Sequence, residues 1–241
     1  MRHRDMREIN SFSKGIRNGL PICFGYLSVA FAFGIFACGS GLTVAEALLI
    51  SATNVTSAGQ LAAVPIIAGG GTLLELAVSQ LVINLRYALM SVSLSQRLGG
   101  SVRLLDRFLV AFVNTDEVFA VAMAQNAPVG KRYLYGLILT PYLGWALGTL
   151  LGAVAGNLLP TVVISALGLA IYAMFIAIVL PKVKKHRPTA LCVAIAVLLS
   201  CAFYYIPLLQ KIPSGFSVIL CAVVAAAVAA LACPVKEKAD G

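Results

Sequence analysis

Three ionisable residues lie inside long apolar stretches of this chain. Arg86 occurs in the sequence INLRYALM, and Asp116 and Glu117 occur together in FVNTDEVFA. A charge at the centre of a bilayer costs about 2.5–3.5 kcal/mol even on a lenient insertion scale, so such residues usually mark a substrate, ion or proton path. A guanidinium and two carboxylates could form a charge pair that also carries protons or ions.

These three residues are expected at similar depth. The two apolar segments that contain them share the loop from Arg97 to Arg107. Counted from that loop at about 1.5 Å per residue, Arg86, Asp116 and Glu117 all lie roughly 14–16 Å from one face. We expect the opposite charges to pair, either to lock two helices together or to serve transport. Two acids for one base leave one carboxylate for a proton or for another cation.

A second polar cluster, SATNVTSAGQ at residues 51–60, interrupts the apolar run from Thr43 to Ala68. Hydroxyl and amide side chains bond the backbone locally and compete with helix. Non-helical backbone at membrane depth is tolerated only where protein or water meets it. The second segment is therefore predicted to be broken or re-entrant. Close helix packing by small residues would also explain the cluster, and it is the preferred interpretation for Ser51. The candidate substrate-binding residues of this cluster are Asn54, Ser57, Gly59 and Gln60.

Asn84 is the fifth candidate for substrate binding. It shares one helix face with Gln80, Tyr87 and Ser91, at helical spacing. Arg86 lies two positions from Asn84 and would point to nearly the opposite side of an ideal helix. Either the helix is distorted there, or Arg86 serves a different interface.

The elements that position these residues are predicted to be membrane helices. The chain has 241 residues, of which 60% are hydrophobic and 11% charged, with a mean hydropathy of +0.95. A soluble domain would carry about a quarter charged residues. We predict an all-α polytopic membrane protein with a single transmembrane domain over residues 1–241. The net charge of +9 is attributed to basic cytoplasmic loops rather than to nucleic-acid binding.

Turn residues and charges divide the chain into eight apolar segments, with seven spans if the second is re-entrant. The segments are Leu20–Cys38, Thr43–Ala68, Thr72–Gln96, Phe108–Ala127, Tyr133–Gly156, Thr161–Leu180, Thr189–Ile206 and Ser214–Ala232. With the basic residues 1–17 placed in the cytoplasm and all eight segments crossing, the tail 234–241 is cytoplasmic too. Thirteen Lys and Arg then lie inside and four outside, which supports this orientation. The outside loop from Arg97 to Arg107 disagrees with it. A re-entrant second segment would move that loop inside but PKVKKHRP outside.

Neither a metal site nor a cofactor is expected. The six cysteines lie in or beside apolar runs without a C-x-x-C pair, and both histidines lie in basic polar segments. An intramembrane enzyme that uses Asp116 and Glu117 is disfavoured, because the chain shows no nucleophile–base motif and no metal set. A channel and a non-transporting subunit of a membrane complex are further functions that an apolar chain of this kind could have.

Four motifs in order resemble the AzlC family, the large subunits of bacterial branched-chain amino acid exporters, also called azaleucine resistance proteins. They are GIRNGLPICFGYLSVAFAFG (15–34), SATNVTSAGQLAA (51–63), VINLRYALMSVSL (82–94) and NTDEVFA (114–120). Two positions depart from the family's pattern. VTSAGQL replaces a motif closer to FAGAAQF, and Tyr87 replaces a histidine in NLRH.

The resemblance implies export of valine, leucine or isoleucine, with methionine as a further candidate. It also implies a small AzlD-type membrane partner and a multi-pass location in the bacterial cytoplasmic (inner) membrane. On this hypothesis Asn54, Ser57 and Gln60 receive the substrate carboxylate. Asp116 or Glu117 meets the ammonium group, and the remaining charge is balanced by Arg86.

Overall fold

The computed structural model describes residues 8–156, 158–160, 162, 173, 176, 179–181 and 183–233. Every regular element within these ranges is a helix, and this confirms the predicted all-α class. The α-helices are α1 Phe12–Gly39, α2 Val44–Thr53, α3 Ser57–Ala68, α4 Leu73–Ser95, α5 Leu104–Phe112, α6 Asp116–Met123, α7 Lys131–Gly156, α8 Arg187–Tyr205 and α9 Ser214–Ala232. A 3-10 turn, Leu209–Lys211, precedes α9.

Within the described ranges, five helices are long and apolar enough to span a membrane, namely α1, α4, α7, α8 and nearly all of α9. The predicted second segment is broken into α2 and α3, as expected from its polar centre. The predicted fourth segment is also broken, into α5 and α6, and this break was not foreseen. The predicted sixth segment, Thr161–Leu180, lies almost wholly outside the described residues.

The chain forms two compact units. The first comprises Met1–Val64 and Asn84–Gly168, and the second comprises Pro65–Ile83 and Leu169–Gly241. All candidate site residues belong to the first unit. The prediction of one transmembrane domain over residues 1–241 stays a prediction.

Helices α1 and α7 form the core of the first unit and run parallel to each other. Residues of α1 lie beside α7 residues about 121 positions later, from Gly15 beside Gly136 to Phe31 beside Gly152. The backbones touch because glycines lie at the contact. A Cβ atom added at Gly34 would lie 2.3 Å from the Thr149 carbonyl oxygen, and one added at Gly152 would lie 1.9 Å from that of Phe31. Such close approach is typical of membrane helix pairs with small residues at the interface.

Helices α2 and α3 form a hairpin, here called the first hairpin, that enters beside the C-terminal end of α1. Helix α2 ends about halfway along α7, where the Ser51 carbonyl accepts a 3.1 Å hydrogen bond from Trp145 Nε1. Ala47 of α2 and Val64 of α3 belong to one buried cluster near the C-terminal ends of α1 and α7. A continuous helix would hold these two residues about 25 Å apart. The second segment therefore turns back on itself in the structure.

Helices α5 and α6 form the second hairpin, which enters from the other end of the unit. Val129, after α6, pairs with Leu98, before α5. The Gly99 N–H donates to the Val129 carbonyl and the Val129 N–H donates to the Arg97 carbonyl, both at 2.9 Å. Ile9 joins them, since its N–H donates to the Pro128 carbonyl at 2.9 Å. Residues on both sides of the fourth segment thus meet at one face, called here the N-terminal face.

The fourth segment, predicted as one crossing helix, therefore also turns back on itself in the structure. If both hairpins are re-entrant in the membrane and enter from opposite faces, they remove two crossings, and the sidedness of everything after them is unchanged. Only the loop with Arg97, Arg103 and Arg107 then changes sides and joins the thirteen basic residues assigned to the cytoplasm. If the remaining segments cross as predicted, Lys211 alone stays outside. The charge distribution that disagreed with eight crossings agrees with this arrangement.

In the second unit, a buried carboxylate meets a helix start. Glu75 in the first turn of α4 is only 3% exposed, and it accepts a 2.6 Å hydrogen bond from the Gly215 N–H at the beginning of α9. The first N–H groups of a helix lack partners within the helix and favour a negative charge. This bond fixes α9 to the start of α4.

Candidate functional site

The three ionisable residues come together at the tip of the second hairpin. The Arg86 Nη1 atom of α4 lies 2.8 Å from Asp116 Oδ2 at the start of α6. Glu117 accepts a hydrogen bond from the Tyr26 hydroxyl of α1. Each acid therefore has its own partner. The second carboxylate, for which the sequence offered no base, is bonded to the Tyr26 phenol.

Arg86 reaches the tips without any distortion of α4, which is continuous from Leu73 to Ser95. The guanidinium carbon lies 4.7 Å from the centroid of the Tyr87 ring, and Nη2 donates a 2.8 Å hydrogen bond to the Tyr87 hydroxyl. That hydroxyl donates at 3.3 Å to Thr56 Oγ1 at the tip of the first hairpin. Thr56, Tyr87, Arg86 and Asp116 thus form one polar chain that joins both hairpin tips through α4.

A cavity of about 160 Å³ lies where the two tips meet. Its wall combines residues 53–56 of the first tip, Asn84 and Tyr87 of α4, and Ala111, Phe112 and Asn114 of the second tip. At roughly 30 Å³ per water molecule, its volume corresponds to about five waters, or to a small organic solute. Three side-chain amides and several hydroxyls therefore face a space of the size of a small metabolite.

Tyr142 of α7 lies between the two tips. Its hydroxyl donates a 3.1 Å hydrogen bond to the Ala52 carbonyl, and its ring centroid lies 6.2 Å from that of Phe112. Ser51, one residue earlier, is fully buried and 2.7 Å from Thr149 Oγ1. The Tyr142 bond to Ala52 and the Trp145 bond to Ser51 use carbonyls at the end of α2, which have no partner within their own helix.

The helix ends around the cavity differ in charge. Helix α3 begins at Ser57 with no acid in its first turn, whereas α6 begins with Asp116 and Glu117. The positive end of α3 is therefore not neutralised by an acid of its own helix, while that of α6 is. This asymmetry provides one place suited to an anionic group and another suited to a cationic group.

The predicted substrate-binding residues are only partly at the cavity. Asn54 and Asn84 belong to its wall, and Ser57, Gly59 and Gln60 follow the tip along α3 without lining it. Gln60 is fully buried, and neither amide atom of its side chain has a hydrogen-bond partner among the described residues. An unsatisfied buried amide costs about 1–3 kcal/mol, so it indicates a ligand, a water or a functional role.

Several residues of the site were missed in the sequence. Tyr26 and Tyr142 carry no local signal, because only the packing of α1 and α7 brings them to the hairpins. Asn114 did carry one. It precedes Thr115, Asp116 and Glu117, and a threonine followed by acids is typical of a helix start. In the middle of an apolar run, that pattern predicts a broken segment.

The second hairpin is also fixed at its base. Asp106 in the first turn of α5 accepts hydrogen bonds from the Tyr135 hydroxyl and, at 2.7 Å, from the Arg103 N–H. These two bonds, with the nearby charges of Lys131 and Arg103, hold the pKa of the Asp106 carboxyl below its usual range. Asp106 lies before the apolar part of the segment, at the N-terminal face.

Among the described residues, no group of three or more histidine, cysteine and acidic side chains is arranged to hold a metal ion. What the site does offer is amides, hydroxyls and one ion pair. These groups suit the binding of a polar or charged small molecule and the transfer of protons.

Comparison with known proteins agrees with the membrane architecture. Residues 21–159 match the family model described as AzlC protein. The chain belongs to the AzlC family. The match begins within α1 and extends through α7, so it includes both hairpins and the candidate site of this AzlC-family chain.

Two relatives cover most of the AzlC-family chain. An uncharacterized membrane protein of Archaeoglobus fulgidus is 35% identical over 181 residues, which cover 74% of this chain and 79% of the relative. The inner membrane protein YgaZ of Escherichia coli is 30% identical over 194 residues, which cover 77% and 78%. No solved structure matches the chain.

Proposed function

We propose that this chain is the large subunit of a secondary transporter that exports branched-chain amino acids across a bacterial cytoplasmic membrane. Valine, leucine and isoleucine are the expected substrates, with methionine as a further candidate. The proposed complex includes a small AzlD-type membrane partner, and both chain termini face the cytoplasm. No chemical conversion of the substrate is expected.

The observation that carries this proposal is the meeting of two broken segments around a small polar cavity beside an intramembrane ion pair. Transporters build substrate sites from such discontinuous helices, whose ends face the substrate near the bilayer midplane. The Arg86 and Asp116 side chains are 54% and 47% exposed in this chain. Lipid does not solvate such a pair, so water or another protein segment must meet this surface.

A zwitterion matches the charges around the cavity. We assign the substrate carboxylate to the start of α3, near Asn54 and Ser57, where no acid competes. The ammonium group is assigned to Asp116, whose charge it would share with Arg86. The aliphatic side chain would lie against Phe112 and Val55. Gln60 does not line the cavity, so we propose that it acts on the bound carboxylate indirectly, through the position of α3.

Glu117 is the proposed proton-coupling group. Its partner Tyr26 is a neutral hydrogen-bond donor, so no cation is left unpaired if Glu117 serves in coupling. Asp116, by contrast, is paired with the Arg86 guanidinium. Proton coupling then depends on one acid and substrate binding on the other.

Counterflow of labelled valine in proteoliposomes tests the function, with the purified chain alone and with its small partner. A transporter exchanges valine with saturation, a channel conducts without saturation, and an enzyme or a silent subunit does neither. The proposal is supported by saturable exchange that leucine and isoleucine inhibit and that a large aromatic amino acid does not.

The site assignment is tested separately. Glu117→Gln should alter the pH dependence of exchange, and Asp116→Asn should weaken exchange at every pH; proton coupling is wrong if neither substitution changes the pH dependence. A structure with bound substrate would refute the assigned roles if the ligand were remote from both hairpin tips.

A further inference from the structure

A second, larger cavity lies beside the tip cavity in the first unit. It is an open groove of about 270 Å³ between the second half of α4 and α5. Leu94 and Leu98 line it at and just beyond the end of α4, and Phe108 and Ala111 line it on α5. It is mostly apolar, with Ser91 and Arg107 among its polar residues.

The groove and the tip cavity are neighbours that share a residue. Ala111 lines both of them, and it contributes only a methyl group to the boundary. Ser91 lines the groove and Asn114 lines the tip cavity, and the Asn114 Nδ2 atom donates a 3.1 Å hydrogen bond to Ser91 Oγ. One side-chain hydrogen bond and one small residue therefore lie at the boundary between the two spaces.

The opposite end of the groove lies toward the N-terminal face. Leu98 belongs to the groove and also pairs with Val129 at that face. Arg107 follows the beginning of α5 by one turn, so it places a cation near the same end. With the N-terminal face in the cytoplasm, the groove leads from the cytoplasm to the tip cavity.

We propose that this groove is the cytoplasmic access path of the transporter, and that the Ser91–Asn114 hydrogen bond is its gate. The inference rests on the proposed export function. Arg107 attracts the carboxylate of the arriving amino acid, and the apolar walls receive its side chain. Opening the Ser91–Asn114 bond and moving the second tip would then join the groove to the tip cavity.

The proposed occupant is an aliphatic amino acid in transit rather than a lipid chain. The volume lies just below the roughly 300 Å³ at which pockets for small molecules begin, and the groove continues into a polar cavity that a lipid chain would not enter. A lipid acyl chain, in contrast, extends over about half of a hydrocarbon core some 30 Å thick, so it would need a groove roughly 15 Å long. These observations favour the amino acid.

Cysteine modification tests the path in the full chain reconstituted with its partner, after replacement of the six native cysteines. Ser91→Cys and Ala111→Cys are treated in inside-out vesicles with a membrane-impermeant thiol reagent. Leu89→Cys is the matched control, because Leu89 is an exposed residue of the same helix that does not line the groove. Leucine at ten times its dissociation constant should slow modification at positions 91 and 111 about tenfold, because bound protein is protected in proportion to occupancy.

Blocking the groove provides a second measurement. Modification at position 91 should abolish valine exchange, and Ala111→Trp should reduce exchange strongly while Leu105→Trp, on the exposed side of α5, should not. The access path is wrong if wild-type protein exchanges valine but the modified Ser91→Cys protein exchanges it equally well. Modification that leucine does not slow would also overturn it, in favour of a lipid occupant. If wild-type protein with its partner exchanges no aliphatic amino acid, the proposed function itself fails, and the access path fails with it.

Discussion

The Arg86 guanidinium and the Asp116 carboxylate meet at 2.8 Å, although one belongs to a continuous helix and the other starts a half-length helix. The contact ties the second hairpin to α4. Through Tyr87 the same guanidinium also reaches Thr56 of the first hairpin. One arginine side chain therefore contacts the second hairpin tip directly and the first through Tyr87.

Asp116→Asn should lower the rate of valine counterflow about tenfold or more, which corresponds to about 1.4 kcal/mol. The substitution leaves Arg86 without a counter-charge at membrane depth, and unpaired charges are costly there. The double variant Arg86→Gln/Asp116→Asn removes both charges and should be more stable than Asp116→Asn alone. Lys211→Gln, at an exposed position, is the control. Unchanged counterflow in Asp116→Asn would contradict this role of the pair.

Gln60→Leu should leave the melting temperature unchanged or raise it, while it lowers exchange strongly. Replacing a buried amide that has no partner by an apolar group of similar shape removes an unsatisfied polar group. The comparison is Ser51→Ala, which loses the 2.7 Å contact with Thr149. It should lower the melting temperature by about 2–4 °C and keep exchange. Melting in detergent and exchange in proteoliposomes separate the two outcomes.

Gly34→Ala should destabilise the chain, and Gly25→Ala in the same helix should not. A Cβ atom at position 34 would lie 2.3 Å from a backbone oxygen of α7, whereas one at position 25 meets nothing within 4 Å. Overpacking typically costs about 1–3 kcal/mol, and alanine in an open helical position gains up to about 1 kcal/mol over glycine. Thermal unfolding of the two purified variants is the measurement. Equal stability of both variants would mean that α1 and α7 do not pack this closely.

Gly100→Cys and Asn126→Cys should react from the same side of the membrane, after replacement of the native cysteines. These positions flank the second hairpin, which begins and ends at the N-terminal face. Both side chains would be accessible, since Asn126 is exposed and a Cβ atom at Gly100 meets nothing within 4 Å. Labelling in right-side-out and inside-out vesicles distinguishes a hairpin from a crossing. Reaction from opposite sides would mean that the fourth segment crosses the membrane.

Tyr135→Phe should make the protein less stable near neutral pH, and the difference from wild type should shrink in acid. The Tyr135 hydrogen bond lowers the folded-state pKa of Asp106. A carboxyl whose pKa is lower in the folded state contributes stability above its unfolded value of about 3.9, and that stability is lost as pH falls through the folded value. Melting temperatures between pH 7 and pH 3 give the comparison. A constant difference over this range would exclude the carboxylate bond as the cause.

Much of the helical architecture follows from the sequence. The observed α4, α7 and α9 agree with the predicted segments within about two residues. The break of the second segment follows from Asn54 and its polar neighbours, because such side chains compete with helix for backbone hydrogen bonds.

The second break could not be predicted with the same ease. Its signal, Thr115 before two acids, is short, and two acids inside an apolar run resemble mid-helix charges. Counting basic residues in the loops does not reveal this break. One re-entrant segment moves all later loops to the other side of the membrane, whereas two re-entrant segments return them to their original side. The partners of Glu117 and Ala52 could not be predicted at all. Tyr26 and Tyr142 reach them only through the register of α1 and α7, which depends on glycine contacts across the whole chain.

The contacts of the first hairpin with α7 bear on how the protein is assembled during synthesis. Ser51 meets Thr149 across 98 positions of sequence, and its carbonyl meets Trp145 across 94. When α2 and α3 leave the ribosome, the helix that binds their open carbonyls has not yet been made. A half-length hairpin without partners is a poor occupant of lipid, because its backbone groups are unsatisfied. The order of translation therefore differs from the order of docking, and both hairpins are expected to wait outside the hydrocarbon core until α7 is inserted beside α1.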